Sequence, residues 1–164
     1  MNIIENVYDI VIIGAGTAGL SAAIYGVRAG KRVLVLEEKA YGGQIINTPE
    51  VENYPGIAKI SGFEFATNLY NQAKGLGATV KFERAVEIKS QEAATTGIKA
   101  VDDGTLTELT TVTGKVNVVI TESGEYICKS VIIATGAKNR PLGVDREKEL
   151  IGLGISYCAT CDGM

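Results

Sequence analysis

Asp9-Ile-Val-Ile-Ile-Gly-Ala-Gly-Thr-Ala-Gly19 joins a short apolar run to the spacing Gly14-x-Gly16-x-x-Gly19. The run from Ile10 to Ile13 is β-branched and stops at a glycine, as a strand buried on both faces does. Thr17 to Ala29 is rich in alanine and is closed by Gly30, which predicts a helix. Arg32-Val-Leu-Val-Leu-Glu37 predicts a second buried strand. Residues 9–37 therefore spell a β-α-β unit with a right-handed crossover. The glycine pattern alone is weak evidence. Its place after a strand and at the opening of a helix makes it specific.

In that setting each glycine has its own task. The first permits the turn, the second lets a pyrophosphate approach the backbone, and the third lets helix and strand pack closely. The helix start adds free N–H groups and partial positive charge. Gly14, Gly16, Thr17, Ala18 and Gly19 are thus the candidate phosphate cradle of a dinucleotide. Glu37 ends the second strand, where a carboxylate can accept hydrogen bonds from a ribose diol. Glu38 is the neighbouring candidate. Either carboxylate would repel a 2′-phosphate, which argues against NADP in this site.

Composition narrows the rest. A length of 164 residues fits one ordinary domain, and 46% hydrophobic content suffices for a globular core. The net charge is -3 and no cluster of Lys and Arg occurs, so no nucleic-acid surface is expected. There is no histidine, which excludes a Ser-His-Asp triad, a Cys-His pair and a histidine metal site within the chain. Ile10 to Val27 is uncharged and long enough for a membrane helix, but Gly14, Gly16, Gly19 and Gly26 divide it into strand, turn and helix. Met1 to Asp9 lacks Lys and Arg, unlike a signal peptide. A soluble, cytoplasmic protein without a membrane partner is expected.

A loop rich in turn residues spans Tyr41 to Ile60, long enough to suggest a functional role. Ser61-x-x-Glu64 is a capping box that opens a helix with Phe65, Leu69, Ala73 and Leu76 on one face. Thr79 to Phe82 predicts a third strand, parallel to the first two. Ala85 to Lys129 reads as an antiparallel meander of short runs, broken at Gly97, Asp103-Gly104, Gly114 and Ser123-Gly124. Ser130 to Ala134 returns to a buried strand, followed by Thr135-Gly136 and then a polar, irregular stretch. Cys158-x-x-Cys161 places two sulfurs within disulfide reach, which favours redox exchange or metal binding. Zinc needs about four ligands, and the third cysteine, Cys128, reads as a small core residue.

Gly154-Ile-Ser-Tyr-Cys-Ala-Thr-Cys-Asp-Gly163 resembles the active-site segment of low-molecular-weight thioredoxin reductases. Tyr41-Gly-Gly-Gln44 and Val51-Glu-Asn-Tyr-Pro-Gly56 resemble the same family, in the same order. The meander followed by Ala134-Thr135-Gly136 is similar to the two-dinucleotide-binding flavoproteins. The resemblance implies an α/β, Rossmann-like FAD-binding domain of three layers, with a parallel sheet plus an antiparallel β-meander. Residues 1–138 would be the N-terminal part of that domain. Residues 139–164 would be a linker and the start of the NADPH and redox-active domain.

The resemblance also implies that electrons pass from NADPH to FAD, then to the Cys158–Cys161 disulfide, then to thioredoxin or a similar small redox protein. Cys161 would be the flavin-proximal sulfur, Cys158 would attack the partner, and Asp162 would serve as acid and base. Gly42, Gly43, Gln44 and Asn53 would line the flavin and its ribityl-phosphate side. Val86 and Ala134 join the cofactor set, and Thr135 and Gly136 would close over it. Two departures from the family stand out. The meander is longer between Ala93 and Lys115, where an extended or additional hairpin away from the flavin is expected. The family's second glycine-rich unit for NADPH and its Gly-Asp motif do not follow, so the chain is expected to be an N-terminal portion, inactive in isolation. The full-length protein is expected to bind NADPH and form a homodimer. The alternatives are a non-catalytic FAD- or dinucleotide-binding fragment, and a reductase of a related small redox protein with a different electron donor. A plain NAD-binding dehydrogenase domain is disfavoured, since it would continue with alternating helices and strands rather than a meander.

Overall fold

Strand β1 (Val7–Ile13), helix α1 (Thr17–Arg28) and strand β2 (Val33–Glu37) form the expected β-α-β unit, with β1 and β2 parallel. A computed structural model describes residues 6–100 and 106–157, with side chains described for 6–92 and 114–157. Helix α2 (Gly62–Gly75) and strand β3 (Thr79–Phe82) follow, then β4 (Ala85–Ala100), β5 (Leu106–Thr121), β6 (Glu125–Ile133) and the short helix α3 (Glu147–Leu150). The sheet order is β3-β2-β1-β6-β5-β4. The first four of these strands run parallel, and β5 and β4 are antiparallel additions.

Strand β2 is apolar at every position but its last because both of its faces are covered. Val33 and Val35 pack with Ile12, Leu20, Ala23, Ile24 and Ala73 on the helical side. Leu34 and Leu36 pack with Tyr8, Val11, Val119, Tyr126 and Cys128 on the other. Each such fully buried aliphatic side chain contributes about 1.5–3 kcal/mol of transfer free energy. The second face is covered by the meander. In the sheet, β3 is separated from β6 by two strands, yet Lys81 Nζ on β3 donates to the Tyr126 hydroxyl on β6 at 3.0 Å. The start of β6 therefore folds back across β1 and β2. Helices, parallel strands and meander make the three expected layers.

At α2, the Ser61 hydroxyl accepts the Glu64 N–H at 3.1 Å, as its capping role requires. Phe65, Ala66 and Ala73 are buried, but Leu76 is 39% exposed, contrary to the expected helical face. Leu76 is the C-cap, and after Gly77 the chain turns so that Ala78 fills the core instead. The loop after β2 is also more structured than its composition suggests. It holds a short 3-10 helix, Gly43–Asn47, and isolated bridges Val51–Ile60 and Tyr54–Ile57.

Three expectations about the meander are corrected. Gly97 and Gly114 do not interrupt strands. They sit in register opposite Thr110 and Ala93 in a hairpin of two 16-residue strands. A glycine weakens a strand but leaves its backbone ladder intact. The expected lengthening is therefore one long hairpin, and the expected break at Asp103-Gly104 lies outside the described residues. No boundary falls between Lys129 and Ser130 either. One strand pairs with β5 through Glu125–Cys128 and with β1 through Ile127–Ile133. Nor is its second half fully buried: Ser130 is exposed and Ile133 is 69% exposed. No helix among the described residues is long and apolar enough to cross a membrane.

Cys128 is a core residue, 1% exposed. Burial pushes its thiol up from 9.0 to about 11. The folded state then holds the proton more tightly than the unfolded state. That contribution is complete below pH 9 and is lost as pH rises through about 11. Melting temperature should therefore fall more steeply between pH 9 and 11 in the native chain than in Cys128→Ala.

Candidate functional site

The glycine loop lies where β1 and β6 end side by side. Ala134 N–H donates to the Ile13 carbonyl at 2.8 Å, and Gly14 N–H donates to the Leu36 carbonyl at 2.7 Å. Gly14 has φ +107°, and a Cβ there would lie 2.3 Å from the Ala134 carbonyl oxygen. A Cβ on Gly19 would lie 1.9 Å from the Gly14 carbonyl oxygen. Both glycines are required by the protein's own packing.

Gly16 is different. Its backbone is extended, at φ -76° and ψ -175°, which any residue can adopt. A Cβ on it would meet no protein atom closer than 4.0 Å. The fold does not demand glycine at this position; a ligand crossing the loop would. The adjacent helix start has no side-chain cap and no acidic residue in its first turn. Its amides and partial positive charge could receive an anion with no carboxylate in that turn.

Glu37 Oε2 accepts the Ala15 N–H at 2.8 Å, and Oε1 accepts the Lys39 N–H at 3.1 Å. The half-buried carboxylate thus braces the glycine loop beside the proposed ribose position, while Glu38 is exposed. Gly42 N–H donates to the Ala15 carbonyl at 2.7 Å, and Gly42 bridges Gly16. Gly42 has φ +103°, and a Cβ there would strike Ile46 and Ala66. Gly43 packs on Gly16, so that both glycines line the same crevice. Gln44 Nε2 donates to the Ala137 carbonyl, tying this loop to the segment after exposed Thr135 and Gly136.

A cavity of about 370 Å³ adjoins the loop. Thr17, Ala18 and Ser21 of α1 line it with Asn53, Tyr54 and Phe65, among others. Asn53 thus lines the same cavity as Thr17 and Ala18. Ser21 was legible only as one helical turn beyond Thr17, and Phe65 only as a core position. Val86 stands apart from this group: it is 54% exposed on β4, at a register irregularity between Ala85 and Glu87. Cys158, Cys161 and Asp162 lie outside the described residues.

One polar cluster had no sequence signal. Glu83 accepts from the Thr121 hydroxyl at 2.8 Å and from the Tyr126 hydroxyl at 2.8 Å. Burial raises the Tyr126 pKa, and the hydrogen bond to Tyr126 raises that of Lys81. The cluster pins the meander over the sheet and lies among no expected site residue.

The crevice lies at the carboxyl ends of β1 and β6, on opposite sides of which the chain winds in opposite directions. That is where open α/β sheets bind their ligands. The family model described as pyridine nucleotide-disulphide oxidoreductase matches residues 8–164. A thioredoxin reductase of Treponema pallidum (strain Nichols) is 44% identical over 160 residues, covering 97% of this chain and 45% of that protein. One from Bacillus subtilis (strain 168) is 43% identical over 159 residues, covering 97% and 43%. The solved thioredoxin reductase of Streptococcus pyogenes MGAS5005 superposes with a TM-score of 0.75 at 37% identity, covering 96% of this chain and 44% of that one. The chain spans less than half the length of these relatives, and it belongs to the pyridine nucleotide-disulphide oxidoreductase family.

Proposed function

We propose that this chain holds FAD and carries the redox cysteines of an NADPH-dependent thioredoxin-disulfide reductase. The observation that carries the reading is Gly16, a glycine the fold leaves free and a pyrophosphate needs. Residues 1–138 would belong to the FAD-binding domain, and residues 139–164 would lead into the domain bearing Cys158 and Cys161. Gly14, Gly16, Thr17, Ala18 and Gly19 would hold the pyrophosphate, and Glu37 the ribose. Gly42, Gly43, Gln44 and Asn53 would meet the flavin side, with Ala134, Thr135 and Gly136 beside them. Val86 is the remaining member of the proposed set. Bound FAD supplies the two-electron relay between a nicotinamide and a disulfide.

The chain's own chemistry is thiol exchange. In the reduced pair, the Cys158 thiolate attacks one sulfur of the partner's disulfide and the other sulfur leaves as a thiolate. Cys161 then attacks Cys158, re-forming the Cys158–Cys161 bond and releasing the partner as a dithiol. Asp162 moves the proton between Cys161 and solvent, a task that falls to a carboxylate in a chain without histidine. The pair works best where cellular thiols are kept reduced, so the cytoplasm is the proposed location. A homodimer of the full-length protein belongs to the same reading.

Two measurements test it. The purified chain should take up FAD and show the yellow absorption of an oxidised flavin. The full-length protein should reduce thioredoxin with NADPH, and the 164-residue chain alone should not. Failure of both proteins to take up FAD, or reduction by the short chain, would overturn the reading.

A further inference from the structure

After β6 the backbone closes on itself between Leu142 and Tyr157. Glu149 and Leu150 N–H donate to the Arg146 carbonyl at 3.0 and 3.2 Å. Leu153 and Ile155 N–H both donate to the Leu150 carbonyl at 2.9 Å, and Gly152 N–H donates to the Ile155 carbonyl at 2.9 Å. The stretch expected to be irregular is therefore a hydrogen-bonded unit.

Two side chains lock its start to its end. Glu147 accepts the Leu142 N–H on Oε1 at 3.0 Å and the Gly143 N–H on Oε2 at 2.8 Å. The Tyr157 hydroxyl accepts the same Leu142 N–H at 3.2 Å. Leu142 thus shares one proton between a carboxylate and a phenol that are ten residues apart in the chain. Arg146, directly before Glu147, has φ 56°, the one positive φ on a non-glycine residue among those described. A side chain rarely adopts that backbone, and it persists where surrounding contacts over-determine it. Here it turns Glu147 back onto Leu142 and Gly143.

Tyr157 immediately precedes Cys158 in sequence. Anchoring Tyr157 to Leu142 therefore holds the residue that precedes the Cys-x-x-Cys in sequence. We propose that Glu147 and Tyr157 are positioning residues, closing residues 142–157 into a brace that orients the Cys158–Cys161 pair for exchange. The inference rests on the reductase reading above. Orientation errors of about an ångström can cost up to a hundredfold in rate, so a loosened brace should show in turnover.

The test uses the full-length protein with Glu147→Ala, Glu147→Gln and Tyr157→Phe. NADPH-dependent reduction of DTNB reads the dithiol, and NADPH-dependent reduction of ferricyanide reads the flavin without the cysteines. Glu147→Ala should lower kcat for DTNB about tenfold, with ferricyanide rate and FAD content unchanged. Glu147→Gln keeps one acceptor oxygen and should recover part of the loss. Tyr157→Phe deletes one hydroxyl, leaves Glu147 in place, and should cost about threefold. Equal losses in both assays would mean general loosening and would overturn the proposal, as would no loss in any variant. A wild-type protein that reduces ferricyanide but neither DTNB nor thioredoxin would overturn the reductase reading itself.

Discussion

Gly19→Ala will destabilise the fold and lose the flavin, whereas Gly16→Ala will keep the fold and lose only the flavin. The contrast follows from what each new methyl group meets. At Gly19 it would lie 1.9 Å from the Gly14 carbonyl oxygen and 3.0 Å from the carbonyl carbon. Gly14 cannot retreat, because its own N–H is bonded to Leu36 and its far side abuts Ala134. Replacing glycine by alanine inside a helix normally gains about 1 kcal/mol. Here overpacking should reverse the sign, with a net cost of about 3 kcal/mol. For a chain of this size that is a fall in melting temperature of about 10 °C. At Gly16 the methyl group finds its nearest protein atoms at 4.0 Å, so stability without ligand should stay within about 0.5 kcal/mol. The same methyl group occupies the space proposed for the pyrophosphate. Losing two amide bonds to phosphate, at about 1.5–3 kcal/mol each, weakens FAD binding about a hundredfold or more. Thermal melting and flavin titration of the two variants measure both halves. FAD binding by Gly16→Ala as tight as in the native chain would remove the cradle from the proposal.

Cys161→Ser in the full-length protein should abolish thioredoxin reduction and leave ferricyanide reduction standing. With one sulfur gone, the Cys158–Cys161 disulfide cannot form, so nothing can accept electrons for the partner. Cys158 remains a competent nucleophile, and its attack on the partner's disulfide yields a mixed disulfide that no second thiol resolves. A covalent complex should accumulate and be visible on a non-reducing gel. Cys158→Ser should give no such complex if Cys158 is the attacking sulfur. A complex that forms only in Cys158→Ser would exchange the two proposed roles. Cys128 does not enter this exchange. It is buried, and burial holds its thiol protonated at neutral pH.

Much of the architecture was legible because local pattern and global burial agree in the first part of the chain. The β-branched run to Ile13, the alanine-rich segment and the apolar run at Val33–Leu36, set off by Gly14 and Gly30, read as strand, helix and strand. Agreement weakened where local rules met tertiary context. Gly97 and Gly114 are strand breakers by composition, but partner strands hold their backbones in register. Leu76 has the right spacing for a helical face, yet the helix ends one residue before it. Lys129 and Ser130 look like a boundary because their polar side chains interrupt the apolar run. The strand continues through them because its backbone bonds pass from β5 to β1.

The candidate site divides in the same way. The glycines, Glu37 and the Cys-x-x-Cys were visible because their chemistry resides in residue type and short spacing. The loop pattern assigns Gly14 to the turn, Gly16 to ligand approach and Gly19 to packing, and the structure adds the atoms that enforce the first and third. Ala134 crowds Gly14, while no protein atom crowds Gly16. Gln44 meets Ala137, and Glu83 meets Thr121 and Tyr126, across 38 to 93 residues of chain. No short-range pattern encodes such pairs. The sequence by itself determined the β-α-β unit, the dinucleotide-type loop and the Cys-x-x-Cys spacing, because periodicity, glycine content and residue spacing are local properties. Only the tertiary structure decided how the meander covers the sheet and what braces Tyr157, because each depends on contacts made after the chain has folded back on itself.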